Sequence, residues 1–167
     1  MSFARIGRGA VVAVAVFLGL AILGDSAAAP VRRFRAIEVD VSGVRASGDA
    51  VSADWVAREL PADLRKTFAA YLSPADRGAP LLRARVDLVT LGANGSGGGL
   101  NSTQAVDYIE GAGEVIGAGG HVIASYPLLS AVHAYPDDVD ANGVSGRLRV
   151  SNLALSFANW LPGKMGL

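Results

Sequence analysis

Residues 81–91, LLRARVDLVTL, alternate between apolar and charged side chains. Leu82, Ala84, Val86 and Leu88 fall on one face, and Arg83, Arg85 and Asp87 on the other. Neighbouring side chains of an extended backbone point to opposite sides, so this period of two predicts a strand with one buried and one wet face. Residues 35–44 repeat the pattern, with Ile37, Val39 and Val41 opposed to Glu38, Asp40 and Ser42. The polar faces of the two strands carry opposite charge. Adjacent strands would pair Glu38 and Asp40 with Arg83 and Arg85 at about 0.2–1 kcal/mol per pair. The two strands are therefore expected to be neighbours. Their four charged residues mark an open sheet face that is the candidate interaction surface.

A helix is expected between these strands. Ser52 is its predicted N-cap, with Asp54 in the first turn. Val56, Leu60, Leu64, Phe68 and Leu72 recur every four residues, and Ala57 and Tyr71 widen the stripe. Pro61 predicts a kink, or a break into two helices. Ser73-Pro74 ends the segment. After the second strand, residues 92–99 (GANGSGGG) have loop composition. Strand character resumes over 103–118, where Gly111 and Gly113 suggest a bulge. Gly119-Gly120 signals a hairpin turn, and residues 121–126 are the expected return strand, ending at Pro127. Residues 128–140 give no clear period, and their second half reads as a loop. A last helix begins between Asn142 and Gly146. Val150, Leu153, Ala154, Phe157 and Leu161 lie on one of its faces, and Pro162-Gly163 is its expected stop. The order β-α-β-β-β-α predicts an α+β two-layer sandwich, with two helices on one face of a four-stranded, mainly antiparallel sheet.

The N-terminus supplies a compartment. Arg5 and Arg8 precede an apolar run over 10–23, followed by Ser26-Ala27-Ala28-Ala29-Pro30. This is the three-part pattern of a secretory signal peptide. The run is shorter than the roughly 20 residues a spanning helix needs, which favours cleavage over a retained anchor. Pro30 disfavours a cut directly before itself, so residues 1–28 form the expected signal and 29–167 a single domain. Membrane contact is expected only through the signal, before cleavage. The chain has no cysteine, hence no lipid-acceptor residue and no disulfide, and its core must hold it together. A periplasmic or secreted protein follows. The formal net charge is +0, which argues against nucleic acid as a partner. The cluster Arg32, Arg33 and Arg35 reads as a solvated arm.

Asp138-Val139-Asp140-Ala141-Asn142-Gly143 is the sharpest motif. Asp138, Asp140 and Asn142 match the first oxygen ligands of a calcium loop, and Gly143 its sharp turn. Arg149 stands where the loop wants a bidentate Glu. The alternative is an acidic turn against the positive end of the last helix. Calcium is the one cofactor these residues suggest. His121 and His133 lack zinc spacing and a cysteine partner, and His121 reads as a surface residue beside the turn. No G-x-S-x-G occurs, and alternation does not bring Asp107 into one pocket with Glu110 or Glu114. The glycine-rich loop lacks the Lys-Ser/Thr of a phosphate loop. Trp55 and Trp160 read as core or core-edge packing, with a partner-binding aromatic as the alternative.

Segments IEVDVSG at 37–43, LLRARVDLVTL at 81–91, VDYIEGAGEVIGAGGHVIASYPL at 106–128 and LRVSNLALSFANWL at 148–161 carry a resemblance of pattern. In element order and export signal, the chain resembles small bacterial envelope proteins such as LPS-assembly lipoproteins and the auxiliary lipoproteins of ABC-type lipid transporters. Those families are anchored through a cysteine, which is absent here. The resemblance implies an accessory role in the cell envelope and transfers no functional residue. The expectation is a non-catalytic periplasmic interaction module with an envelope protein partner. A small-ligand or weak calcium-binding protein is the alternative, and an enzyme comes third. Oligomeric state is left open.

Overall fold

The computed structural model of the chain describes residues 33–92, 106–133 and 144–167. Its elements in chain order are β1 (Ala36–Asp40), α1 (Ser42–Ala46), α2 (Ala50–Thr67), β2 (Leu81–Thr90), β3 (Val106–Ile116), β4 (Val122–His133) and α3 (Val144–Lys164), with a single 3-10 turn at Ala69–Tyr71. The four strands form one open sheet in the order β1-β2-β3-β4. β1 and β2 are parallel, with Glu38 opposite Arg83 and Asp40 opposite Arg85. β2, β3 and β4 are antiparallel. The architecture is α+β, with α2 and α3 packed together over one face of the sheet.

The core lies between the helices and that face. Val56, Leu60 and Leu64 of α2 meet Leu82, Ala84 and Val86 of β2, Ile109 and Val115 of β3, and Val150, Leu153, Phe157 and Leu161 of α3. Each fully buried aliphatic or aromatic side chain contributes about 1.5–3 kcal/mol. The stripe expected on the last helix is buried throughout. Phe34 joins the core through the 3-10 turn. Its N–H donates to the Tyr71 carbonyl at 2.8 Å, and its ring meets Phe68 edge-on at 6.0 Å between centroids. None of the described helices is long and apolar enough to cross a membrane.

Several expected boundaries move, each for a local reason. β1 stops at Asp40 rather than Val44. The Asp40 carboxylate accepts from the Ser42 N–H at 2.9 Å, turning the chain into α1, whose N-cap Val41 and third residue Val44 are buried at helical spacing. The N-cap of α2 is Asp49, which accepts from the Ser52 N–H at 2.9 Å. Ser52 itself is buried. α2 runs unbroken through Pro61. Leu60 and Leu64 on either side are fully buried, and together they offset the roughly 3 kcal/mol that an interior proline costs. β4 continues past Pro127 to His133, since an outer strand tolerates a missing N–H. α3 likewise includes Pro162 and ends at Lys164.

The bulge expected near Gly111 lies on the opposite strand. Val86 pairs with Gly111 and Leu88 with Glu110, which leaves Asp87 as the extra residue of β2. Side-chain parity flips there. Leu88 is 41% exposed instead of joining the core, and Val89 is buried in its place. Gly111 has no freedom to be anything else, because a Cβ there would stand 2.0 Å from the Arg85 carbonyl oxygen. The Gly119-Gly120 turn forms as expected, with Gly120 at φ +77°.

Candidate functional site

The sheet face away from α2 and α3 is laid out by the strand register. One row runs Glu38, Arg83, Glu114, Ser125, and the next Asp40, Arg85, Ala112, Pro127. Beyond the bulge the rows become Leu88, Glu110, Leu129 and then Thr90, Tyr108, Ala131. The face therefore has a charged end on β1 and β2. Its other end is more apolar, with Leu88, Tyr108 and Leu129 all exposed around a single carboxylate, Glu110.

The charged end is a connected set. Arg83 lies 3.6 Å from Glu38 and 4.0 Å from Glu114. Arg85 lies 3.3 Å from Asp87 and 3.2 Å from Glu114. The Arg85 Nε contact with Glu114 lacks hydrogen-bond geometry, so it is Coulombic only. Glu114 is the centre, nearly covered by the two arginines. The outer partners are well exposed, which limits each of their pairs to about 0–1 kcal/mol. The bonds from the backbone N–H and hydroxyl of Ser42 hold the Asp40 carboxyl below its ordinary 3.8. Arg83 and Arg85 pull the same way, and partial burial opposes them. Beside this set lies a shallow depression of about 500 Å³ lined by Glu38, Asp40, Ser42, Arg45 and Arg83. Its mixed charge and open shape suit a protein surface better than a small enclosed ligand.

All four residues of the expected interaction surface, Glu38, Asp40, Arg83 and Arg85, thus stand together on the open face. Asp138, Asp140 and Asn142 lie outside the described residues, as does the 1–28 signal. His121 and His133 are exposed just before and at the end of β4. Trp55 packs at the core edge, while Trp160 is 67% exposed.

Asp107 faces the helices and is buried, whereas Glu110 and Glu114 are on the open face, so these carboxylates do not share a site. Asp107 instead forms a two-pronged ion pair with Arg149 of α3, through Oδ2 at 2.8 Å to Nε and through Oδ1 to Nη2. Arg149 Nη2 also donates to the Gly92 carbonyl at 2.6 Å, and the Gly92 N–H donates to Asp107 Oδ1 at 3.0 Å. This clamp ties the end of β2, the start of β3 and α3 together. Its sequence signal was parity, since Asp107 falls on the same side of β3 as Ile109 and Val115. A carboxylate on a core face requires a cation, and Arg149 borders the apolar stripe of α3.

No protein family model matches the chain, and no curated protein matches it. Among solved structures it is similar to a minor lipoprotein from Acinetobacter baumannii. The two share 16% identity over 78% of this chain and 92% of that chain, with a TM-score of 0.43. That degree of likeness carries no functional argument.

Proposed function

We propose that this chain is an exported, non-catalytic accessory module of the bacterial cell envelope that binds an envelope protein through its open sheet face. The observation that carries the reading is the layout of that face. A set of paired charges on β1 and β2 adjoins an apolar end at Leu88, Tyr108 and Leu129, and no described element covers either. Charged groups that steer and orient, beside apolar groups that contribute contact energy, are the composition of a protein-binding surface. The signal pattern of residues 1–28 supports the compartment.

The test is photocrosslinking in intact cells. A crosslinker at Tyr108 should trap a discrete envelope protein, and one at Arg58 on the exposed side of α2 should not. Arg83→Glu combined with Arg85→Glu should abolish the adduct. Recovery of the uncrosslinked chain alone from Tyr108, or an adduct indifferent to the charge reversal, would reject the reading. Mass spectrometry of the periplasmic fraction should find Ala29 as the first residue.

A further inference from the structure

The two outer strands of the sheet differ in how their edges are guarded. β1 is five residues long, includes Glu38 and Asp40, and gives way at once to α1. β4 runs for twelve residues, VIASYPLLSAVH, without a Lys, Arg, Asp or Glu. Val122, Ile123 and Leu129 are 50%, 59% and 61% exposed along it. Trp160 of α3 borders the same edge from the helix side, closing a groove of about 300 Å³ with Leu128–Ala131. An outer strand presents unpaired backbone donors and acceptors, and natural edges carry charge, prolines or cover to prevent pairing. Here Pro127 and a bulge at Ile123, which has no partner on β3, guard the first half of the strand, and Leu128–Val132 carries no such device.

Charge decides which occupant suits this edge. A two-fold contact sets a surface patch against its own copy, so a charged residue on the axis meets its like. The Arg58, Arg65 and Lys66 side of α2 would incur that repulsion, and in the charged rows of the open face Glu38, Arg83, Arg85 and Glu114 already pair with one another. The β4 edge brings only His133, at its end. We infer that β4 pairs antiparallel with β4 of a second copy of this chain. One sheet then continues across both copies, and the two Trp160 side chains cover the seam from the helix side. The inference goes beyond the function proposed above. It uses the strand edge and leaves the charged rows of both open faces free.

The experiment is sedimentation equilibrium over a dilution series, on the chain produced in cells with its own N-terminal segment. The expected result is a reversible monomer–dimer equilibrium. Ala131→Lys places a cation on the exposed edge, and Trp160→Ala removes the cover. Each should raise the dimer dissociation constant at least ~10-fold. Arg58→Glu, on the exposed side of α2 and distant from the edge, should leave it unchanged. Circular dichroism and the melting temperature of each variant check the fold. If Ala131→Lys fails to fold, Trp160→Ala decides alone, because its indole is largely outside the core. A monomer mass at every concentration overturns the inference, and so does a dimer insensitive to both edge variants. A monomeric chain that crosslinks from position 160, on the helix side of the edge, to a different protein also overturns it, assigning the edge to a foreign strand. Trp160 lies off the open face and Arg83 and Arg85 lie off the β4 edge, so the two readings fail independently.

Discussion

Asp107→Ala should destabilise the fold by about 3–5 kcal/mol, the usual cost of removing one partner of a buried ion pair. The geometry sets the size. The Asp107 side chain is 2% exposed and that of Arg149 11%, so water cannot replace the lost carboxylate. The Gly92 N–H loses its acceptor as well. Against a total of about 5–15 kcal/mol for a domain, the loss is a large share. Urea unfolding followed by circular dichroism reads it directly. With a slope of about 2 kcal/mol/M, the midpoint should fall by about 2 M at unchanged slope. Two comparisons sharpen the result. Asp54→Ala breaks the exposed Arg45–Asp54 pair, whose side chains are 52% and 54% accessible, and should cost under about 1 kcal/mol. Asp107→Leu with Arg149→Leu removes both buried charges and should recover at least half of the single-variant loss. A loss below about 1 kcal/mol for Asp107→Ala, or a double variant worse than the single, would refute the claim that burial sets the strength of this pair.

Other perturbations separate the remaining forces. Gly111→Ala forces a methyl onto the Arg85 backbone carbonyl and should cost at least about 1–3 kcal/mol. Gly119→Ala meets only the movable His121 ring at 3.2 Å and should cost much less in the same denaturation assay. Phe157→Ala empties the centre of the core and should cost about 3–5 kcal/mol. Asp40, with a carboxyl held below 3.8, contributes stability that is complete above that value and disappears as pH falls through its lowered folded value. The melting temperature of Asp40→Asn should therefore lie below wild type at neutral pH and converge with it in acid, and a constant gap would count against the assignment.

What the sequence revealed depended on how many residues repeated the same signal. The alternation of β1 and β2 and their opposite charges predicted a neighbouring pair, and the register sets Glu38 against Arg83 and Asp40 against Arg85. The stripe of α3 repeats over several turns and was legible for the same reason. Features governed by one residue were not. Asp40 ends β1 by accepting hydrogen bonds from Ser42, which hydropathy does not register. Pro61 predicted a kink or a break and Pro127 a stop, because local preference was visible while the burial of Leu60 and Leu64, or an outer position in the sheet, was not. The charged face was readable because its partners sit at matching places in two periodic strands. The Arg149 clamp was hidden because Asp107 is 42 positions away.

The bulge at Asp87 also constrains how the gene for this fold can change length. Most single-residue insertions and deletions shorten or lengthen a surface connection and leave the layers alone. Deleting Asp87 would remove the one residue of β2 without a partner on β3 and leave Val86 opposite Gly111 and Leu88 opposite Glu110. Strict alternation would then keep Val89 inward and Leu88 and Thr90 outward, as they already stand. Deleting Ala84 instead would turn Arg85 inward and Val86 outward. One codon inside a packed layer is thus dispensable to the phase of the sheet, so descendants of this sequence should accept the loss of position 87 far more readily than the loss of position 84.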